Sequence, residues 1–246
     1  MCEWSRTLAW PILEAASLKY DNQFFTYVTI SCGNQATPWV LVDKWTEAGL
    51  GYSIPALLGW SMDGQYVYFY DAIIPDGCQP IGGFQQDLRQ VDLATGSILS
   101  IPISWTGGIA LSADTTRLIY YDRQKVEVGV YDLASGEEQR FSFALPKSID
   151  DWFAGDFTWS PDGQSALFII QYGDPCFPTG VSVRRVDLQR NETHDLDNVS
   201  ILLERQDTTL SILEWAQAER VMISMEGDTW WLYPDSGNLD PLNNQP

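Results

Sequence analysis

Histidine is almost missing from this 246-residue chain, where His194 stands alone in the loop-like stretch NETHDL. A Ser–His–Asp triad would have to use it, and no G-x-S-x-G elbow is present, so a hydrolase domain of that type is excluded. Without a P-loop, a G-x-G-x-x-G or an H-E-x-x-H, the usual nucleotide and zinc-protease signatures are gone too. Basic residues are scarce: 14 Lys and Arg stand against 33 Asp and Glu, for a net charge of −19. Such a surface repels phosphate backbones and anionic lipid, which excludes nucleic acid as a partner and suits an extracytoplasmic or salty setting. No apolar run approaches the roughly 18 residues a membrane helix needs, and no cleavable signal is visible. Helical periodicity is also lacking. The best candidate, LDNVSILLERQD at 196–207, is short.

What is abundant is aromatic and strand-forming. Aromatics reach 13% and apolar residues 45%, ample for a core and biased toward pleated surfaces. One stretch recurs. Trp159-Ser160-Pro161-Asp162-Gly163-Gln164 is followed by SALFII, and Trp60-Ser61-Met62-Asp63-Gly64-Gln65 by YVYFY. A looser copy, Leu111-Ser112-Ala113-Asp114, is followed by TTRLIYY. Each reads as strand, tight turn, strand. With Leu18 and Trp215 added, the markers are spaced about 42 to about 56 residues apart, the period of four-stranded propeller blades. A second turn, D-x-x-x-G, recurs at Asp92–Gly96 and Asp132–Gly136, where an Asp side chain closes the turn and Gly takes a positive φ.

The expected fold is therefore all-β: a single propeller domain over 1–246 with about five four-stranded antiparallel blades. The blades fall near 12–53, 54–103, 104–147, 148–205 and 206–246. PWVLVDKW is expected as the third strand of the first unit, the most degenerate one.

At WSPDGQ, VDLATG and GDTWWLYPDSG the chain resembles the TolB-type, WD-repeat-like β-propellers. The resemblance covers most of the chain and implies structural roles for Asp63, Gly64, Asp162 and Gly163, and for Asp92, Gly96, Asp132 and Gly136. The third unit departs from it by lacking a Gly after Asp114. Such propellers often close by lending a terminal strand to the last blade. Residues 1–11 are the expected closing strand, with RTLAW (6–10) set beside TWWLY.

Long loops on a rigid scaffold are where binding concentrates. Here these are the second-to-third-strand loops 71–84 and 172–180 and the connections 104–108 and 146–157. They supply the candidate binding residues Asp76, Trp105, Asp150, Asp151, Trp152, Asp156, Tyr172 and Asp174, aromatics beside carboxylates that suit a sugar or cation. The competing reading is that the aromatics cap the core and the acids are solvated. Cys2, Cys32, Cys78 and Cys176 allow three disulfide pairings, with buried thiols as the alternative. No metal ligand set is assigned. Calcium is the one cation that carboxylates and carbonyls would suit, although no D-x-D-x-D-G loop is present. Cys2 directly after Met1 fits a lipid-anchored, periplasmic or secreted protein. The resulting expectation is a monomeric, non-catalytic, extracytoplasmic scaffold without a cofactor, binding a protein or carbohydrate through its long-loop face. The alternatives are a carbohydrate-active enzyme of glycoside-hydrolase type, with channel carboxylates, or the propeller fragment of a larger peptidase.

Overall fold

The computed structural model describes residues 12–20, 23–32, 35–37, 43–46, 52–74, 77–103, 105, 107–145, 152–196, 201–202, 210–225 and 227–242, with side chains from Ala56 onward except those of Ile74, Phe84, Gln86, Ile201, Leu202 and Ala216. All its regular elements are strands, gathered into four four-stranded antiparallel sheets and one five-stranded sheet. The chain divides into two compact units: Met1–Asp76 with Gln86–Pro102, and Gly77–Gln85 with Ile103–Pro246.

The first unit holds two sheets. One pairs β1 (Ile12–Tyr20) with β2 (Gln23–Cys32), whose other edge takes β3 (Gln35–Thr37) and β4 (Asp43–Thr46). The single third strand expected from PWVLVDKW is thus corrected: two short pieces share one edge of β2. The other sheet runs β5 (Tyr52–Trp60), β6 (Tyr66–Ile74), β7 (Phe84–Asp92) and β8 (Ile98–Ser100). Its core includes Val67, Phe69, Leu88 and Val91, and Arg89 reaches over the Phe69 ring to pair with the buried Asp71.

The second unit holds three sheets. The first is β9 (Ile109–Leu111), β10 (Arg117–Asp122), β11 (Glu127–Asp132) and β12 (Glu138–Ser142). The second is β13 (Trp152–Trp159), β14 (Ser165–Asp174) and β15 (Phe177–Asp187), with β16 (Glu192–Asp195) and β17 (Ile201–Leu202) sharing the far edge of β15. The third is β18 (Leu210–Gln217), β19 (Arg220–Met225), β20 (Asp228–Tyr233) and β21 (Asn238–Pro241). Ile201–Leu202, inside the short helix candidate LDNVSILLERQD, is strand. Both edges of β20 are occupied, by β19 and β21, which leaves no open edge on that strand for the expected RTLAW pairing. Residues 1–11 lie outside the described residues.

Strand β14 shows why the run ALFII is apolar without alternation. Successive side chains of a strand point to opposite faces. Ala166, Phe168 and Ile170 enter a cluster with Ile119, Phe143 and Trp152, while Leu167 and Ile169 enter another with Ile212, Val221 and Leu232. The sheet of β14 is covered on both faces, so both residue parities must be apolar. Each buried Leu, Ile or Phe of the run contributes about 1.5–3 kcal/mol.

The recurrent turns are one structure made three times. The hydroxyls of Ser61, Ser112 and Ser160 donate to Asp63, Asp114 and Asp162 at 2.7, 2.6 and 2.6 Å. Each Asp in turn accepts a backbone N–H, from Gln65, Thr116 and Gln164. The Ser61 and Ser160 hydroxyls, then the N–H groups of Gln65 and Gln164, hold the Asp63 and Asp162 carboxyls below their usual range. Gly64 and Gly163 take φ of 68° and 65°, and Thr115 is forced to 56° where its turn has no glycine. Arg117 links two sheets of the second unit: its guanidinium lies over the Trp159 ring and donates to the Gly163 carbonyl at 2.9 Å.

Candidate functional site

The distinctive construction of the second unit is a strap, Gly77–Gln85, whose chain neighbours on both sides belong to the first. Four kinds of contact seat it. Cys78 is bonded to Cys176 at the tip of the β14–β15 hairpin, with Cα atoms 5.1 Å apart. The Ile81 N–H donates to the Gln171 side-chain oxygen at 2.9 Å. Ile81 also packs on the apolar cluster around Val183, while within the strap the Gln85 amide donates back to the Gly82 carbonyl at 2.6 Å. Gly82 then meets two more glycines backbone to backbone. A Cβ on Gly82 would stand 2.6 Å from the Gly108 nitrogen, and one on Gly155 would stand 2.6 Å from the Gly82 Cα. No larger residue fits without shifting backbone.

Next to this junction, β13 departs from regular pairing. Its register with β14 shifts between Gly155 and Thr158, and Asp156 takes a left-handed φ of 54°. The bulge turns the Asp156 carboxylate toward β18, where it accepts the Ile212 N–H at 2.6 Å. Burial pushes the Asp156 carboxyl above the usual range, and that hydrogen bond only partly opposes it.

The hairpin opposite the strap is shorter than the sequence implies. Strand pairing runs to Asp174 and resumes at Phe177, so Pro175-Cys176 alone makes the turn. Asp174 accepts the Cys176 N–H at 2.7 Å, the Tyr172 hydroxyl lies 2.8 Å from that of Ser182, and Phe177 is 58% exposed. Cys78, Gln79, Asp174, Cys176 and Phe177 form an exposed patch around the staple.

Trp152 is buried against Tyr121 and Phe143, with ring centroids 5.0 and 5.7 Å away, and Trp105 is buried as well. Trp152, Phe153 and Asp156 belong to β13, which corrects the expectation of a connection through 157. His194 lies in β16 rather than in a loop, 3.1 Å from the Glu192 carboxylate. Asp76, Asp150, Asp151 and Cys2 lie outside the described residues, and Cys32 ends β2. Among the described residues no three His, Cys, Asp or Glu side chains are grouped as metal ligands. The glycine junction escaped sequence reading. Its only visible signals were the pairs Gly82-Gly83 and Gly107-Gly108.

No family model and no curated protein matches the chain. Solved structures do. An oligogalacturonate lyase in complex with manganese is 17% identical with a TM-score of 0.54, the match covering 94% of this chain and 60% of that one. The periplasmic gluconolactonase of Pseudomonas aeruginosa is 14% identical with a TM-score of 0.53, covering 94% and 66%. Dipeptidyl peptidase 4 of Porphyromonas gingivalis is 9% identical with a TM-score of 0.54, covering 94% and 39%. The chain thus spans about two thirds or less of each of these proteins. The likeness is one of fold, and that fold is β-propeller-like.

Proposed function

We propose that this chain is an extracytoplasmic binding module whose working surface is the patch around the Cys78–Cys176 staple. The observation that carries the reading is the staple itself. It fixes two otherwise separate loops against one rigid sheet, and it leaves an aromatic ring and a carboxylate, Phe177 and Asp174, facing solvent. Loops ordered in advance lose less entropy on binding. Disulfides persist outside the reducing cytoplasm, which supports the location. The net charge of −19 and the exposed Phe177 favour a partner segment with basic and apolar side chains. The test is titration with a panel of Lys/Arg- and Leu/Phe-containing peptides, comparing the native chain with Phe177→Ala and Asp174→Ala. Saturable binding weakened by both substitutions supports the reading. Binding indifferent to both, or none across the panel, rejects it.

A second reading has its own observation. Asp156 is a half-buried carboxyl with a raised pKa at a strained bulge, the character of a general acid in carbohydrate chemistry. Two of the similar structures are an oligogalacturonate lyase and a gluconolactonase, so sugar acids and their lactones are the substrates to try. Turnover that disappears in Asp156→Asn would favour this reading. Turnover that survives the substitution would remove Asp156 from it.

A further inference from the structure

Away from the staple, the second unit carries a groove of about 550 Å³ lined by Arg185, Asp187, Arg190, His194, Asp195, Leu196 and the turn Pro234–Ser236. Its charges are more evenly mixed than the composition of the chain as a whole. Three carboxylates there face two guanidiniums and the chain's single imidazole, in a protein whose acids outnumber its bases 33 to 14. Most of these groups are already engaged. Arg185 pairs with Asp235, Asp195 is held by Arg184 at 2.7 Å, and Asp187 accepts the Arg190 N–H at 3.0 Å. The Arg190 guanidinium is the exception. Its side chain is 72% exposed, and its charged neighbour, the second Asp187 oxygen, is 4.0 Å away, beyond hydrogen-bond reach.

A guanidinium offers only donors and an ionised carboxylate only acceptors. A hydroxyl set between Arg190 and Asp187 can accept from the first and donate to the second at once. A neighbouring hydroxyl can do the same with His194 and the open face of Asp235. The buried Leu196 and Pro234 supply an apolar floor. Ionic ligands fit less well. An anion meets three carboxylates inside a field of net charge −19, and a cation meets Arg185 and Arg190. From this juxtaposition we infer that the groove between β15–β16 and the β20–β21 turn binds a neutral polyhydroxylated ligand, a short uncharged saccharide. Its volume lies within the 300–1,000 Å³ typical of small-molecule sites.

The inference does not depend on the staple patch. Saturation-transfer NMR and calorimetry on the full chain test it, with maltotriose, cellotriose and mannotriose as neutral probes and glucuronate and glucosamine as charged ones. The expected result is saturable binding of a neutral trisaccharide, weakened about tenfold or more in Arg190→Ala and in Asp187→Asn. The melting temperature of Arg190→Ala should match that of the native chain, because the side chain is exposed. The inference is overturned if no neutral probe saturates, if glucuronate or glucosamine binds better, or if binding is unchanged in both variants.

Discussion

Breaking the Cys78–Cys176 bond by Cys78→Ser or Cys176→Ser should cost more stability than any exposed substitution in the molecule. The two cysteines are 98 residues apart in sequence. In the chain-entropy treatment, releasing a loop of that length from the unfolded state costs about 4.7 kcal/mol at 25 °C. Measured losses for native disulfides run about 2–5 kcal/mol, a large share of the roughly 5–15 kcal/mol that holds a domain together. The non-covalent seating of the strap is small beside this. The Ile81–Gln171 hydrogen bond contributes about 1 kcal/mol, and burial of the partly covered Ile81 adds a comparable amount. The assay is urea unfolding followed by tryptophan fluorescence, on the oxidised native chain and on both single variants. Each variant should lose about 2–5 kcal/mol, and the two should agree. A loss below about 0.5 kcal/mol in both would refute the reasoning, because the strap would then be held without the bond.

Three further outcomes follow from particular contacts. Thr115→Gly should stabilise the chain by about 1 kcal/mol, since it relieves a β-branched residue at φ 56° in a turn whose other copies carry glycine; thermal unfolding checks it, and destabilisation would contradict it. Gly155→Ala should destabilise by about 1–3 kcal/mol, because its Cβ would fall 2.6 Å from the Gly82 backbone; an unchanged melting temperature would mean the glycine junction is looser than described. Asp156→Asn keeps an acceptor for the Ile212 N–H but removes the charge that burial disfavours. A carboxyl whose folded pKa is raised contributes stability below its unfolded pKa and loses it as pH rises through the folded value. The variant should therefore equal or exceed the native chain at neutral pH and lose that advantage on acidification, as read by denaturant unfolding at a series of pH values. Asp63 and Asp162 act oppositely: their depressed folded pKa values give stability that is present above the ordinary carboxylate range and lost as pH falls through the folded values.

The β-rich, repeated architecture was legible because its signals are local. Ser and Asp two residues apart close each turn, with Gly next in two of the three, and the same atoms do so at Ser61, Ser112 and Ser160. Even the missing glycine of the third turn had a readable consequence, the strained Thr115. Non-local features were not legible. The like loops Asp76-Gly77-Cys78-Gln79-Pro80 and Asp174-Pro175-Cys176-Phe177-Pro178 point to stapling, but Cys32 falls in the same loop of the first unit, so sequence does not choose the pairing that sheet packing makes across 98 residues. Gly82, Gly108 and Gly155 touch only in three dimensions, and each looks like an ordinary loop or strand glycine in sequence. Trp152 and Asp156 were placed in the connection 146–157, yet β13 already runs from Trp152 and passes Gly155 and Asp156 as a bulge. The stretch around Ile201 had helix-like spacing, but the exposed edge of β15 offered backbone partners and took Ile201–Leu202 as a strand. The groove at Arg190 and His194 had no sequence signature, since its lining comes from two strands of one sheet and a turn of another.

The seated strap and the exposed patch around it depend on one covalent bond, and non-reducing proteolysis with mass spectrometry tests it directly. The predicted result is a Cys78-containing peptide joined to a Cys176-containing peptide, which reduction separates. Joining of Cys78 to Cys2 or Cys32, or alkylation of Cys78 and Cys176 without prior reduction, would contradict the seated strap and the binding surface built on it.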